Sequence, residues 1–214
     1  MALETNRILG GVGAILMFIG IIPVISTYGI IELVGLILVL VALYNLAGYY
    51  REGGIFNNAL YGLIVAIVGG VVSVVMIIFT VLTSLTDFLY KLFPGWNGDW
   101  AALSGLTPNT ANISFNDVLP LFSGLITVFI VFWIFSIITA FLVRRSLTSL
   151  SIKAGVGLFS TTGLLFLIGA VLIIIFGLGL ILVWISLLLL AIAFFQIKPQ
   201  ETHPAPAPTT PTQT

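Results

Sequence analysis

The sequence predicts an all-α, polytopic membrane helix bundle. Three observations support this fold class: 60% of the 214 residues are hydrophobic, only 7% are charged, and the mean hydropathy is +1.26. A soluble domain carries about 25% charged residues, because polar side chains must cover its surface. This composition excludes a soluble enzyme, a nucleic-acid-binding module and a disordered regulator. The first partner that it predicts is therefore the lipid bilayer, and no nucleic acid is expected.

Six apolar runs are long enough to cross a hydrocarbon core about 30 Å thick, which requires about 20 residues per helix. The expected spans are 8–25, 30–47, 55–82, 118–143, 154–176 and 178–197. Together they predict one transmembrane domain over residues 1–197, with an outer loop at 83–117 and a disordered, Pro-rich tail at 198–214. Gly177 supplies the turn between the last two spans.

The positions of the basic residues predict the direction of insertion. With a cytoplasmic N-terminus, six of the seven Lys and Arg residues fall on the cytoplasmic side, and Lys91 alone falls on the outer side. The six inner residues are Arg7, Arg51, Arg144, Arg145, Lys153 and Lys198. This asymmetry favours six crossings with both termini in the cytoplasm. The first run follows a segment that is not basic, so we expect a retained helix and not a signal peptide.

The outer loop begins with an amphipathic segment at 85–93, in which apolar residues recur at helical spacing. Pro94 ends this short helix, and Trp96 and Trp100, which favour the membrane interface, follow it. We therefore expect an interfacial helix on the outer leaflet, or alternatively a cap over the bundle. Asn112 opens an Asn-Ile-Ser sequon on the same side and is a possible glycosylation site.

The third span carries small residues at steps of three and four, which place them on one helix face. They are Ala59, Gly62, Ala66, Gly69, Gly70 and Ser73. Small faces allow close approach of helices in lipid, so we interpret this set as a helix-packing face. The alternative is the wall of a pore or pathway.

A weak repeat at an offset of 150 residues aligns Gly13 with Gly163 and Gly29 with Gly179. It would pair the first helical hairpin with the last one, as a parallel duplication about an axis along the membrane normal. The alternative is chance similarity between two hairpins rich in Leu, Ile and Gly.

Little in the sequence points to chemistry. The chain has no cysteine, its one histidine is His203 in the tail, and it has no phosphate-binding loop. No metal, cofactor or enzymatic activity is therefore expected. Glu32 is the one acid inside a predicted span, and ionisable groups in a membrane are costly. Three interpretations of Glu32 stay open: solvation at the outer interface, a proton or cation site, and a structural hydrogen-bond partner.

Several segments resemble a known family. They are 7–13 (RILGGVG), 22–24 (IPV), 43–50 (LYNLAGYY), 55–63 (IFNNALYGL) and 193–198 (AFFQIK). Together they look like the prokaryotic, largely archaeal, multi-pass membrane family catalogued as domain of unknown function 996. The resemblance implies a prokaryotic cell membrane, and it implies no activity and no functional residues.

The sequence favours a non-enzymatic structural or assembly component of the membrane. We expect it to associate with a second copy or with other membrane proteins. The alternative is a small transporter or channel for an ion or small solute, in which Glu32 and the small-residue face would line the path. A transporter should place polar residues near the membrane midplane, where this chain has mostly Val, Ile, Leu, Phe and Gly.

Overall fold

The computed structural model describes residues 3–21, 29–111, 113–175 and 177–198. All regular structure in these ranges is helical, which confirms the all-α prediction. The α-helices are α1 Leu3–Gly20, α2 Ile30–Tyr49, α3 Gly53–Thr80, α4 Thr86–Leu92, α5 Phe115–Ala154, α6 Leu158–Leu172 and α7 Leu178–Phe195. A π-helical turn, Val81–Leu85, joins α3 to α4, and a 3-10 helix, Trp100–Gly105, follows α4.

Six helices form a closed ring in chain order. Helix α1 packs on α2, α2 on α3, α3 on α5, α5 on α6, α6 on α7, and α7 returns to α1. One apolar core joins all six, and its buried members include Ala14, Leu43, Ile55, Leu150, Phe159 and Phe194. The α3 residues of this core are Ile55 and Ala59, so the ring is packed most tightly near the start of α3.

Pairs of facing glycines bring together the two helices of each short hairpin, α1 with α2 and α6 with α7. A Cβ atom at Gly13 would lie 2.7 Å from the carbonyl oxygen of Gly35, and one at Gly35 would lie 2.6 Å from that of Gly13. Gly169 and Gly179 face each other in the same way, each lying against the carbonyl oxygen of the other. Backbone contacts this close require glycine on both helices, as in other membrane helix pairs.

The glycine alignment at an offset of 150 does not describe these hairpins. Gly13 faces its hairpin partner, whereas Gly163 packs on Arg144 of α5. Gly29 precedes α2 with a φ of 69°, and its structural counterpart is Gly177, with a φ of 73°, and not Gly179. A left-handed backbone conformation and a close contact between helices both favour glycine, which accounts for the glycines at these positions in both hairpins.

The ring closes where α1 meets α7. The rings of Phe18 and Trp184 stack with their centroids 4.5 Å apart, and Trp184 Nε1 donates to the Phe18 carbonyl oxygen at 3.0 Å. A Cβ at Gly10 would overlap the buried ring of Phe194, so this position of α1 has room only for glycine.

The predicted interfacial helix at 85–93 is not a separate element. Helix α3, the π-helical turn and α4 form one continuous helical segment, Gly53–Leu92, of 40 residues. Between Val71 and Phe93 the chain has neither Gly nor Pro, so nothing interrupts the helix before Pro94. The predicted third span at 55–82 therefore extends by ten residues.

Helix α5 is also longer than predicted. The expected span at 118–143 and cytoplasmic loop at 144–153 form one helix that runs to Ala154 and ends at Gly155, with a φ of 69°. No Gly or Pro stands between residues 125 and 154. At its start, Ser114 and Asp117 form a capping box.

Helices α1, α2, α5, α7 and the α3–α4 segment are long and apolar enough to cross a membrane. The structure is thus a polytopic helical bundle. Helix α6, expected at 154–176, is apolar but has only 15 residues, about 22 Å. Helix α1 ends at Gly20, before the predicted limit at Ile25. The count of six crossings stays a prediction.

Helices α3 and α5 extend beyond the ring. Trp133 Nε1 donates to the carbonyl oxygens of Ala170 and Val171, at 3.1 and 3.2 Å, in the last turn of α6. Residues 115–132 of α5 therefore lie past the end of α6, over about 27 Å. They pack against residues 71–92, and we call this two-helix extension the arm.

The loop at the tip of the arm is ordered around Trp96, whose side chain is buried between the rings of Tyr90 and Trp100. Its Nε1 donates to the Asp99 carbonyl oxygen at 2.6 Å. Trp96 therefore forms the centre of a small apolar core in this loop and is not the interfacial side chain that the sequence predicts. Trp100 is half-exposed. Lys91 and Asp117 form an ion pair across the tip.

Two predictions fall outside the described residues. Asn112, the possible glycosylation site, is one of them. The Pro-rich tail is the other, because the described chain ends at Lys198.

Adjacent glycines of α3 provide a matched test of the α3–α5 packing. A Cβ at Gly69 would lie 2.5 Å from Phe135 Cβ, whereas one at Gly70 meets no atom within 4 Å. Gly69→Ala should therefore lower the free energy of unfolding by about 1–3 kcal/mol. Gly70→Ala should leave it unchanged or raise it by up to about 1 kcal/mol. Unfolding in mixed micelles titrated with a denaturing detergent measures both variants, and equal effects would contradict this packing.

Candidate functional site

The ring encloses a cavity of about 200 Å³. It is the feature to which all six ring helices contribute, so it is the candidate site of this protein. Its walls include Met17 of α1, Val39 and Leu43 of α2, Ala59 and Leu63 of α3, Val143 and Leu147 of α5, Phe166 of α6 and Leu187 of α7.

The polar side chains in these walls are four hydroxyls, and three of them are bound to backbone carbonyls. Ser146 Oγ donates to the Ile55 carbonyl oxygen at 2.5 Å, which ties α5 to α3. Thr162 and Ser186 donate within their own helices, to carbonyl oxygens at 2.8 and 2.6 Å. These three groups are satisfied by the protein itself.

Thr139 is the exception. Its Oγ1 is buried and has no hydrogen-bond partner among the described residues. Hydroxyls in membrane helices commonly donate to the carbonyl four residues earlier. Ser136 and Thr127 of the same helix do so, at 2.9 and 2.7 Å. The Thr139 hydroxyl does not, so it is left without the bond that its neighbours make.

A second cavity, of about 220 Å³, adjoins the first toward the arm. The two share Ala66, Thr139 and Phe166 in their walls, so these residues mark the junction between them. The second cavity is bounded on α3 by Gly69 and Gly70. The unpartnered hydroxyl therefore lies where the two cavities meet.

The walls of both cavities contain no Asp, Glu, Lys, Arg or His. Within the described part of the chain, no group of three or more His, Cys, Asp or Glu residues could hold a metal ion. Apolar cavities of about 150 Å³ stay free of water and accept apolar molecules. An empty cavity costs about 24 cal/mol per Å³, so an unfilled first cavity would cost about 5 kcal/mol. The site is thus suited to apolar material and not to ions.

Glu32 lies outside both cavities. It is in the first turn of α2, and its side chain is half-buried against α1. A Cβ at Gly20 would lie 2.6 Å from Glu32 Cγ. The structure therefore places Glu32 at the end of the α1–α2 hairpin, away from Thr139.

The small-residue face of α3 has two different surroundings. Gly69 packs on Phe135, and Gly62 lies against Thr139 and Val143, all on α5. Ser73 Oγ donates to the Gly69 carbonyl oxygen at 2.8 Å. Ala59 and Ala66 line cavities, and a Cβ at Gly70 would meet nothing. Part of this face is thus occupied by α5 of the same chain, and part borders the cavities.

Polar groups gather at the end of the ring opposite the arm, which we call the basic end. Lys153 Nζ lies 3.4 Å from Glu52 Oε2, joining the end of α5 to the turn before α3. Arg7 Nη1 donates to the Ile197 carbonyl oxygen at 3.5 Å. Burial, and then the neighbouring Tyr49, raise the pKa of the Tyr50 hydroxyl above its ordinary value. The helix termini are therefore tied together at this end by polar contacts.

Sequence reasoning finds this site only in part. Four members of the small-residue face of α3, which the sequence offers as a possible pathway wall, line the cavities: Ala59, Ala66, Gly69 and Gly70. The remaining walls consist mostly of the same Leu, Val and Phe residues that face lipid, so the pattern does not single out Thr139 among the hydroxyls of its apolar run.

Comparison with known proteins places the chain in a family. The sequence profile of the family described as "Protein of unknown function (DUF996)" matches residues 31–188. The chain belongs to this family. This confirms the resemblance seen in the sequence. A related protein of Methanocaldococcus jannaschii, named only as uncharacterized, is 26% identical over 175 residues, which cover 82% of each chain. No solved structure matches the chain.

The DUF996 match covers α2 to most of α7 and so includes most of both cavities. Neither the family description nor the name of the relative assigns an activity. The chain is thus a DUF996 membrane protein, and its role must be argued from its own geometry.

Proposed function

We propose that this protein is a non-enzymatic assembly component of a prokaryotic cell membrane and associates with a second copy of itself through the arm. The observation that carries the proposal is the apolar length of the two arm helices. Their apolar runs are longer than the other four ring helices, which have 15 to 20 residues.

The apolar run of α3 at 55–82 is about 42 Å long, and that of α5 at 118–143 is about 39 Å. The hydrocarbon core of a bilayer is about 30 Å thick. A helix of 42 Å fits that thickness only at a tilt of about 45°, which exceeds the usual range of 0–40°. The apolar run of α3 is therefore longer than one bilayer covers at ordinary tilts, and that of α5 fits only at the upper limit of the range.

The exposed side chains of the arm are large. They include Val75, Ile78, Phe79, Leu82, Phe122 and Ile126, all more than half exposed. Apolar surface of this kind outside lipid is typical of an interaction site. A second copy offers the same apolar surface, and twofold pairing of identical faces needs no complementary charge. Lys91 and Asp117 already satisfy each other at the tip, which leaves the sides of the arm for packing.

The non-enzymatic part of the proposal is supported by the cavity chemistry. The walls hold four hydroxyls, three of them bound to backbone, and no acid, base or charged group. The alternative is a small transporter or channel for an ion or small solute, and these walls offer an ion no compensating charge. No specific observation favours that alternative over assembly.

Cross-linking in native membranes tests the proposal. The chain has no cysteine, so Phe79→Cys and Ile126→Cys on the arm each give a protein with a single cysteine, and each variant is oxidised separately. We expect at least one of the two to give a disulfide-linked dimer, because a residue close to the twofold axis of such a pair lies near its own copy. Ile37→Cys is the matched control, an equally exposed position on α2 outside the arm, and should stay monomeric.

Two results would contradict self-assembly. One is a monomer at both arm positions. The other is a dimer of equal yield at Ile37, which would indicate random collision. A cross-link from the arm to a different membrane protein would identify that protein, and not a second copy, as the partner.

The proposed orientation, with both termini cytoplasmic, has its own test. Ser104 is exposed near the tip of the arm, and Ser149 lies in the last turns of α5 at the basic end. In intact cells an impermeant thiol reagent should label Ser104→Cys and should label Ser149→Cys only after the cells are opened. The reverse pattern would invert the orientation, and labelling of both positions in intact cells would contradict the predicted crossings.

A further inference from the structure

The junction of the two cavities combines apolar walls with one unsatisfied hydroxyl. Thr139 Oγ1 lies there without a partner, whereas the other hydroxyls in the first cavity are bound to carbonyls. A buried hydroxyl without a hydrogen bond is costly, so native proteins rarely leave one in that state. The site therefore lacks one hydrogen-bonding group that something else must supply.

Water is a poor candidate for that group. A buried water needs two to four polar partners. At the junction the neighbouring walls are Ala66 and Phe166, which offer no side-chain polar atom. The occupant must instead bring its own apolar body together with the polar group.

The size and charge of the site limit the occupant further. Each cavity is larger than the apolar cavity of about 150 Å³ that accepts a benzene molecule. Because the walls carry no charged residue, a charged headgroup would be buried without a counter-charge. An uncharged hydroxyl or carbonyl group of the occupant would form a hydrogen bond with the Thr139 hydroxyl, so its burial would cost little free energy.

We propose that the joined cavities bind a neutral, single-chain amphiphile, with its one hydroxyl or carbonyl group at Thr139 and its apolar chain extending from this junction into the first cavity. Entry is from the side of α3, where Ala66 is exposed and a Cβ at Gly70 would meet no atom within 4 Å. The membrane supplies molecules of this class. The proposal does not depend on self-association of the arm.

Photolabelling tests the site. The probe is 1-dodecanol with a diazirine in the middle of its chain, added to the full-length protein in liposomes, and adducts are mapped by mass spectrometry. We expect saturable labelling of cavity residues such as Leu63, Phe166 and Leu187. Unlabelled dodecanol should compete for this labelling, and dodecane should compete less well because it lacks the hydroxyl.

Three variants separate the site from ordinary lipid contact. Thr139→Val keeps the shape and removes the hydroxyl, so the apparent affinity should fall by about fivefold, as expected for one lost hydrogen bond. Thr127→Val makes the same change on the same helix, where the hydroxyl is bound to Ser123, and should have no effect. Ala66→Phe fills the junction and should abolish the saturable labelling.

Several outcomes would overturn the proposal. They are adducts confined to lipid-facing positions such as Ile64, labelling that does not saturate, and equal affinity in the Thr139→Val and Thr127→Val proteins. If Ala66→Phe does not fold, the comparison of the two threonine variants still decides. A stable monomer that labels saturably would keep this proposal and contradict the one for the arm.

Discussion

Trp184 of α7 stacks on Phe18 of α1 and donates its indole N–H to the Phe18 carbonyl, and this contact joins the first helix of the chain to the last. The other ring contacts link helices that are neighbours in the sequence and would form in an open array as well. The α1–α7 contact converts that array into a ring. Because the ring is closed, six helices share one interior, and Thr139 faces a cavity and not lipid.

Two lengths of helix follow from the sequence and divide the molecule into two parts. The four short helices surround the core and the cavities together with the first part of α3 and the second part of α5, and the α3–α4 segment and α5 also continue into the arm. Polar contacts such as that between Glu52 and Lys153 anchor the basic end, and the ion pair of Lys91 with Asp117 closes the tip of the arm. The ring thus encloses the apolar cavities in which we propose that an amphiphile binds, and the arm carries the exposed apolar surface through which we propose that two copies associate.

Composition predicts the membrane fold well, because the number and length of apolar runs follow from the thickness of the bilayer. Helix limits are predicted less well, since an apolar run ends at a charged or polar residue, whereas a helix can continue through such residues. Helix α5 shows this by continuing through Arg144 and Arg145 to Gly155. The cavity could not be predicted, because ring-facing and lipid-facing side chains are equally apolar, and only the fold separates Thr139 from other hydroxyls.

The closure of the ring can be measured directly with a cysteine pair that leaves the Phe18–Trp184 contact intact, Gly11→Cys with Phe195→Cys, and a protease site inserted after Ser104. A short thiol cross-linker followed by cleavage should leave the two halves covalently joined, because a Cβ at Gly11 would lie directly against the side chain of Phe195. The control pair, Gly11→Cys with Ile126→Cys on the arm, should give separate halves. Separate halves for the first pair, or joined halves for both, would contradict a closed ring.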